Sequence, residues 1–349
     1  MNNHVSAGLP KWCAAAALLC LLVGFPANTA EVEGPKLKWN VSLWGKPRAG
    51  TAIADALADA VSAKTGGNWT MSLDYGEALS KARENLDGLA IGAFEVAMFC
   101  NFYHPRKNPA LMALTLPFLP MATWEDNRRI REAVYAHPAV KRELARWNAI
   151  VYTSSFLPQY EFVGRGQPPR ELTDWRGMTV RAGGGLGQAM QRLGATPASS
   201  TATEVYTGVQ QGTMDAAAFP FTYSHVSYRL HEVADWFTGN LSPGTADCPL
   251  AFSRTAFDAL PAQYRQLLDD VKDDVIASQI QAYVDVDRIN LPMLKETLVE
   301  VRYTDAQLTD FRARAGKPVI DAWIADNQDR FDARGLVDAM FAAVGQTYD

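Results

Sequence analysis

The sequence predicts an α/β fold with two domains, or one large α/β domain. Its 349 residues exceed what one ordinary core accommodates, and strand-like segments alternate with amphipathic helices along the chain. Because 20% of the residues are charged and 48% are hydrophobic, the composition excludes a polytopic membrane protein. Strands that alternate with helices usually pair in parallel, and ligands of such sheets bind at the carboxyl ends of the strands.

Three strands and two helices are predicted in the first part of the chain. The patterns indicate strands at 37–44 and 69–75 and a short buried strand at 94–99. Between the first two strands, apolar residues from Ile53 to Val61 recur at helical spacing, and a second helix is predicted at 81–88. This alternation predicts parallel pairing of the three strands.

The middle of the chain repeats this order of elements. Strands are predicted at 150–153, 160–163 and 178–181, and the last runs directly into the glycine cluster 183–187, which opens a helix. From Thr255 to about Val301, apolar residues recur three and four positions apart, which predicts a mostly helical segment.

The first thirty residues differ in composition from the rest. Lys11 is their only Lys or Arg, and Trp12 to Phe25 form an apolar run broken only by Gly24. The run is shorter than the ~20 residues that span a bilayer, but it suits a signal peptide, with cleavage near Ala30. We therefore expect residues 1–30 to direct export to the periplasm. An uncleaved signal anchor is the alternative.

The cysteines leave one question open. Cys13 and Cys20 lie in the predicted signal peptide, so Cys100 and Cys248 remain in the exported chain. In an exported protein these two residues either form one disulfide or stay as buried thiols.

Charge and histidine spacing exclude other classes of site. The net charge is −5, and the 33 Lys and Arg are scattered among 38 Asp and Glu, whereas a nucleic-acid surface needs a basic stripe. The histidines after residue 100 lack the spacing of metal ligands. We expect no nucleic-acid partner, no metal site and no cofactor.

The strand at 178–181 and its glycines permit two interpretations. A dinucleotide-binding turn would place a pyrophosphate on the helix N-terminus, but Gln188 occupies the sixth position of the motif, where a small residue is needed. The other interpretation is an anion site at Arg181, whose planar guanidinium can engage a carboxylate through two hydrogen bonds. Pairing of Arg181 with a nearby acid, Asp174 or Glu204, is equally compatible with the local sequence.

Five segments together carry a family resemblance. They are 115–120 (TLPFLP), 172–181 (LTDWRGMTVR), 193–197 (LGATP), 204–215 (EVYTGVQQGTMD) and 228–233 (YRLHEV). In this order they resemble the substrate-binding proteins of TRAP transporters, the DctP-like family. The resemblance covers essentially the whole chain after residue 30.

The resemblance implies a two-lobed periplasmic binding protein fold, type II-like, with hinge strands that cross between the lobes and a long helix that braces both. It assigns 31–152 and 214–253 to lobe I, and 153–213 and 254–349 to lobe II. It also implies a monomer that captures a small organic acid without catalysis. The acid would be delivered to a membrane permease with a small and a large subunit, driven by an ion gradient.

Site residues follow from the same resemblance. The family's carboxylate clamp matches Arg181. Where sialic-acid-binding members have a second arginine, this chain has Glu161 or Tyr160, and Phe219 replaces a family asparagine. We therefore predict a monocarboxylate or zwitterion with an apolar, aromatic or cationic remainder. The further candidates for ligand contact are Phe221, Gly183, Trp44, Phe99, Asn101, Tyr103 and Trp236.

Two other functions are kept as alternatives. A periplasmic ligand sensor has the same fold and presents it to a receptor. An exported hydrolase using Asp215 and His225 is the second alternative, although the sequence contains neither an HExxH nor a GxSxG motif.

Overall fold

The structure is a computed structural model that describes residues 31–349. The predicted signal peptide lies outside the described residues. The strands are β1 (Leu37–Ser42), β2 (Trp69–Asp74), β3 (Val96–Met98), β4 (Ala149–Thr153), β5 (Tyr160–Gly164), β6 (Thr179–Arg181), β7 (Thr196–Ala198), β8 (Ala216–Pro220), β9 (Trp236–Thr238), β10 (Leu250–Ser253) and β11 (Val299–Val301).

The α-helices of the same residues are α1 (Ala52–Lys64), α2 (Asn85–Ile91), α3 (Trp124–Ala136), α4 (Pro138–Ala145), α5 (Gly184–Arg192), α6 (Val205–Gln210), α7 (Tyr223–Ser227), α8 (Arg254–Asp258), α9 (Ala262–Asp270), α10 (Lys272–Thr297), α11 (Asp305–Ala315), α12 (Lys317–Asn327) and α13 (Ala333–Ala342). Among the helices of residues 31–349, none combines the length and the apolar character that a membrane crossing requires.

Each lobe is built on its own sheet. The sheet of lobe I has five strands in the order β2-β1-β3-β10-β4, and that of lobe II has six in the order β11-β9-β5-β8-β6-β7. The predicted parallel pairing holds for β1 with β2 and β3, and for β6 with β7 and β8. Helices cover the sheets, as in α1, whose Ile53 and Leu57 share a core with Trp39 of β1. The two-lobed α/β prediction is confirmed.

Two short segments without helix or strand connect the two sheets directly, 154–159 from β4 to β5 and 239–249 from β9 to β10. The strands that follow them, β5 and β10, run antiparallel to both of their neighbours. Parallel neighbours in a sheet are joined through a long crossover, usually a helix. Strands β5 and β10 instead enter their sheets from the other lobe through a short segment, and they run in the opposite direction to their neighbours. The hinge strands therefore explain why the pairing is not parallel throughout.

A buried acid joins the two crossing segments. Asp247 accepts hydrogen bonds from Ser154 Oγ at 2.7 Å and from Tyr135 Oη at 2.6 Å, and it pairs with Arg131 Nη1 at 2.5 Å. The side chains of Arg131 and Asp247 are completely buried. Next to this pair, Cys248 forms a disulfide with Cys100, which settles the alternative that the sequence left open. The hinge is thus fixed to lobe I by an ion pair and a covalent bond.

Helix α10 contacts both lobes and the hinge. Gln279 Oε1 accepts from the Ile53 N–H of lobe I at 2.7 Å, and Tyr283 Oη donates to the Ser155 carbonyl of the first crossing segment at 2.8 Å. Further along, Asp287 accepts from the N–H of Thr222 in lobe II at 3.1 Å. At 1.5 Å per residue, its 26 residues extend about 39 Å. This is the predicted bracing helix.

The predicted division of the chain between the lobes needs two corrections. Residues 214–238 were expected in lobe I, but β8 pairs with β5 and β6 of the second sheet, and β9 pairs with β5. Residues 254–349 were expected in lobe II, but α13 packs on α3 of lobe I, where Leu336 and Ile130 share one core. Strand pairing and apolar burial decide these positions, and neither follows chain order.

Candidate functional site

A cavity lies between the lobes, at the carboxyl ends of β1, β3, β6 and β8. Its volume is about 20 Å³, which accommodates about one water molecule. The lobes contact each other directly across the cleft, because the Ala202 N–H of lobe II donates to Tyr103 Oη of lobe I at 2.8 Å. The structure therefore has a closed cleft, in which protein side chains occupy most of the space.

Arg181 is the last residue of β6 and is only 2% exposed. Its Nη1 donates to the Ala218 carbonyl at 2.7 Å, and its Nε donates to the Ser200 carbonyl at 3.2 Å. No carboxylate oxygen of residues 31–349 lies within 4.0 Å of the guanidinium. Two neutral carbonyls thus orient the side chain, and its buried positive charge has no counterion within the described chain.

The acids that were alternative partners of Arg181 have other contacts. Asp174 accepts from the N–H of Glu171 at 2.9 Å, and Glu204 accepts from the N–H of Thr201 at 2.7 Å. Both carboxylates act as capping groups for short helical turns. The structure therefore favours the anion-site interpretation of Arg181 over the intramolecular ion pair.

The guanidinium of Arg181 lies between two aromatic rings. Its Cζ is 4.3 Å from the ring centroid of Phe219, on β8 of the same lobe, and 5.0 Å from that of Phe102 in lobe I. Both distances are within the range of cation–π attraction. An aromatic contact from each lobe therefore holds the charge at the closed interface.

Five of the predicted site residues line this cavity. They are Arg181, Tyr160, Phe219, Trp44 and Tyr103. The structure thus brings together candidates that lie as far as 175 positions apart in the sequence, from Trp44 to Phe219.

The buried tyrosines of the cavity are hydrogen-bond donors at neutral pH. Burial raises the pKa of Tyr103 and of Tyr160 above the ordinary value and raises that of Tyr223 to about 12. Their hydroxyls stay protonated, and a ligand oxygen can accept hydrogen bonds from them.

Glu161 was expected near the ligand, but its side chain is part of the hinge. It accepts hydrogen bonds from Thr238 Oγ1 at 2.5 Å and from the N–H groups of Leu241 and Ser242 at 3.1 Å. Successive side chains of a strand point to opposite faces, so Tyr160 and Glu161 cannot both face the cavity. Burial raises the pKa of Glu161 to about 8, although the three donors act in the opposite direction.

Gly183 was expected to contact the ligand, but the glycine cluster 183–187 packs against lobe I. The Gly185 N–H donates to Thr115 Oγ1 at 3.0 Å. A Cβ on Gly183 would lie 2.6 Å from the Phe102 ring, and one on Gly185 would lie 2.5 Å from the Thr115 carbonyl oxygen. These glycines allow the lobes to approach closely. The helix N-terminus is covered, so the dinucleotide interpretation has no support.

The four other candidates lie outside the cavity. Phe99 is in a core of lobe I, and Trp236 packs edge-on against Trp175 with 5.8 Å between ring centroids. Asn101 donates to the Leu111 carbonyl and accepts from the Asp247 N–H. Phe221 stacks on Phe237, beyond the end of β8. Proximity to a strand end did not distinguish cavity walls from core.

Among the cavity-lining residues that the sequence analysis did not predict are Arg48, Phe102, Tyr223 and Tyr228. The sequence signal for Arg48 is similar to that for Arg181, namely a permanently charged side chain close to the end of a strand. Arg48 lies six positions beyond the end of β1, in a loop with a glycine and a proline. Phe102 follows β3 in the same manner.

Comparison with known proteins shows the family. The sequence model of DctP, described as bacterial extracellular solute-binding protein, family 7, matches residues 46–326. The chain belongs to this family. Two solved solute-binding proteins of similar structure carry small organic acids, benzoate in one from Rhodoferax ferrireducens and pyroglutamic acid in one from Bordetella pertussis. The resemblance that the sequence motifs indicated is confirmed.

Three proteins illustrate what this DctP-family chain is similar to. A monocarboxylate 2-oxoacid-binding periplasmic protein of Nostoc sp. is 23% identical over 276 residues, 77% of this chain and 75% of that protein. A TRAP solute-binding protein from Rhodoferax ferrireducens, crystallised with copurified benzoate, superposes with a TM-score of 0.79 at 17% identity, over 88% of this chain and 97% of that chain. A marine-metagenome TRAP protein specific for aromatic acids, with 3-hydroxybenzoate, gives 0.78 at 18% identity, over 89% and 98%.

Proposed function

We propose that this protein is a periplasmic receptor that captures a small monocarboxylate or zwitterion with an apolar or aromatic part and delivers it to a TRAP permease. The observation that carries the proposal is the buried guanidinium of Arg181, which has no counterion among residues 31–349. An arginine cannot discharge itself by losing a proton. A buried charge without a partner costs several kcal/mol, and a bound carboxylate offsets that cost.

The geometry around Arg181 leaves one side of the guanidinium free for a ligand carboxylate. Nη1 and Nε are engaged with protein carbonyls, and Nη2 donates to no acceptor of the described chain. The ligand would therefore approach the free Nη2 side of the fork, with tyrosine hydroxyls such as those of Tyr160 and Tyr223 as further donors.

The remainder of the ligand would contact aromatic rings. Trp44, Phe102 and Phe219 line the cavity, and burial of apolar area contributes about 25 cal/mol per Å². The relatives from Rhodoferax ferrireducens and the marine metagenome carry benzoate and 3-hydroxybenzoate, which have such a remainder. These observations support an acid with an apolar or aromatic part.

Capture would be coupled to closure of the lobes. A cavity of about 20 Å³ is too small for a benzoate-sized molecule, so the cleft has to open for entry and the aromatic side chains have to move apart around the ligand. Such bending would concentrate in the two short crossing segments, 154–159 and 239–249, while α10 contacts both lobes.

Binding without turnover is part of the proposal. Asp215, one residue of the hydrolase alternative, accepts from the Thr179 N–H at 2.7 Å, and His225 lies against the Glu161 carbonyl at 3.3 Å. Neither lines the cavity. The further parts of the proposal are cleavage of the signal peptide near Ala30, a monomer in the periplasm, and delivery to the small and large subunits of the permease.

The test is a thermal-shift screen of organic acids followed by titration calorimetry. We expect acids to raise the melting temperature of the wild type, with one site per chain and with the acid recovered unchanged. Arg181→Met should lose the response, because truncation of one partner of a buried charge pair costs about 2–5 kcal/mol, or about 30-fold or more in affinity. Arg192→Met removes an exposed arginine from α5 of the same lobe and should bind as the wild type does.

Two results would count against the proposal. Equal affinity of Arg181→Met and wild type for an acid would exclude the clamp. Chemical conversion of the bound acid would show an enzyme instead of a receptor.

A further inference from the structure

Arg48 is a second arginine in the wall of the cavity, and it comes from the opposite lobe to Arg181. Its Nη1 donates to the carbonyls of Trp44 at 2.7 Å and Lys46 at 3.0 Å, which fixes the loop after β1. Its Nε is buried and has no hydrogen-bond partner among residues 31–349. No carboxylate oxygen of these residues lies within 4.0 Å of the guanidinium. One edge of the Arg48 guanidinium therefore has N–H donors without acceptors.

Two rows of aromatic rings connect the arginines. On one side Phe219 lies 4.3 Å from the Cζ of Arg181, its centroid is 5.5 Å from that of Tyr228, and the Cζ of Arg48 is 5.5 Å from the Tyr228 ring. The two cations are thus placed at separate ends of an apolar wall and do not share one contact point.

The other row comes from lobe I. Phe102 contacts Arg181 at 5.0 Å, the Phe102 and Tyr103 centroids are 4.6 Å apart, and those of Tyr103 and Trp44 are 6.0 Å apart. Trp44 lies 5.4 Å from the Cζ of Arg48. The cavity therefore has aromatic walls and an arginine at each end.

Arg48 also borders a second, larger space. An outer cavity of about 390 Å³ between the lobes is lined by Arg48 and Tyr228, which it shares with the inner cavity, and by Lys46 and Tyr206. Arg229 in its wall is neutralised by Glu232 at 2.7 Å. A ligand group at Arg48 thus has room to extend outward, past the wall that Arg48 and Tyr228 form.

We propose that Arg48 binds a second oxygen acceptor of the ligand, so that the preferred acids have a carboxylate at one end, an apolar middle and a hydroxyl, oxo or second carboxylate group at the other end. The inference rests on the proposed function, since it assumes that Arg181 binds the first carboxylate, and it widens the proposed ligand class from monocarboxylates to acids whose other end carries a second carboxylate. Arg48 is then the residue that selects two-ended acids over simple ones. Because the two arginines belong to different lobes, a two-ended acid also links the lobes directly.

The test compares matched acids by titration calorimetry. The probes are benzoate, 4-hydroxybenzoate and benzene-1,4-dicarboxylate, together with pentanoate and pentanedioate. We expect the wild type to bind a two-ended acid at least about tenfold more tightly than its one-ended match, since a hydrogen bond to a charged group contributes about 1.5–3 kcal/mol. Arg48→Met should remove most of this preference and change the affinity for the one-ended acids less than about threefold.

Two further variants control the comparison. Arg48→Lys keeps the charge without the planar guanidinium, and it should retain part of the preference. It takes the place of Arg48→Met if that variant does not fold. Arg83→Met removes an exposed arginine 5.8 Å from the Tyr103 ring that lines neither cavity, and it should leave the preference unchanged. The preference is the ratio of two affinities that are measured on the same variant. A purely structural effect of Arg48 on its loop, which weakens binding of both acids equally, would therefore cancel.

The outcomes separate the two proposals. A wild type that binds acids but does not distinguish the matched pairs overturns the role of Arg48 and leaves the proposed function standing. The same holds if Arg48→Met and Arg48→Lys keep the full preference. A wild type that binds none of the probes at millimolar concentration overturns the inference, and a negative result in the wider acid screen then overturns the proposed function as well.

Discussion

The guanidinium carbon of Arg181 lies 4.3 Å from the ring centroid of Phe219, and the two residues are on neighbouring parallel strands, β6 and β8. The same strand provides the carbonyl of Ala218, which accepts from Nη1 at 2.7 Å. Strand β8 therefore orients the arginine through both a ring face and a backbone carbonyl. The charge is preorganised before a ligand arrives, which reduces the cost of ordering it on binding.

Phe219→Leu should weaken binding of acids that respond to Arg181. The leucine keeps an apolar side chain but removes the ring face that orients Arg181, and ordering a free side chain on binding costs about 0.5–1.5 kcal/mol, or about twofold to tenfold in affinity. The measurement is calorimetric titration with an acid from the screen. Phe237→Leu is the matched control, since Phe237 is fully buried in the same core but does not line the cavity. It should lower stability and keep the affinity, and equal losses of affinity in the two variants would contradict the role of Phe219.

Gly185→Ala should hold the cleft open. The added methyl group would lie 2.5 Å from the Thr115 carbonyl oxygen and 2.8 Å from the Cα of Leu116, both in lobe I. Overpacking of this kind costs about 1–3 kcal/mol, so affinity should fall by about fivefold to 100-fold. Small-angle scattering with saturating acid should give a larger radius of gyration than for the wild type.

Gly187→Ala is the matched control for Gly185→Ala. Its methyl group would meet the Ala182 carbonyl oxygen of its own lobe at 2.7 Å. It should lower the melting temperature without changing the radius of gyration of the acid-bound protein. If Gly185→Ala closes as fully as the wild type, the contact with Thr115 is not what limits closure.

Glu161 should make stability depend on pH. Burial raises its pKa from 4.5 to about 8, so between these values the folded protein binds a proton that the unfolded chain releases. The free energy of unfolding should therefore fall as the pH rises through this window, by at most about 1.4 kcal/mol per pH unit. The measurement is denaturant unfolding of the wild type and of Glu161→Gln, which has no proton to release.

The window from pH 6.5 to 8 is the most informative for Glu161. Burial lowers the pKa of His225 from 6.5 to about 4, so below pH 6.5 this residue makes stability rise with pH and opposes Glu161. Glu143, with a pKa raised to about 7, adds to the Glu161 trend below pH 7. The difference between the wild type and Glu161→Gln isolates Glu161, and parallel curves from pH 6.5 to 8 would refute its titration.

Reduction of the disulfide should destabilise the protein. Cys100 and Cys248 are 148 residues apart, and removal of a native disulfide typically costs about 2–5 kcal/mol. We expect a reductant to lower the melting temperature of the wild type, and the double variant Cys100→Ala/Cys248→Ala to have the lower value with or without reductant. A thiol titration that finds two free cysteines in the oxidised, unfolded protein would exclude the bond.

Local patterns in the sequence located much of the secondary structure. Strands were predicted at 37–44, 69–75 and 178–181, close to the observed β1, β2 and β6, and the helical segment from Thr255 contains α8, α9 and α10. No strand was predicted at 196–198, yet these residues form β7. A strand of three residues is too short to show a period, and it forms because β6 provides a hydrogen-bonding edge.

The sequence by itself determined the two-lobed fold and the family, and it predicted Arg181 as the carboxylate-binding residue, because these depend on local periodicity and on motifs that are continuous in the chain. Only the tertiary structure decided that β8 and β9 belong to the second sheet, that Glu161 belongs to the hinge and that Arg48 faces the same cavity as Arg181. The physical reason is that these positions are set by pairing and burial between segments far apart in the chain. Arg48 and Arg181 face one cavity only when the two lobes close on each other, and nothing local to either residue specifies that arrangement.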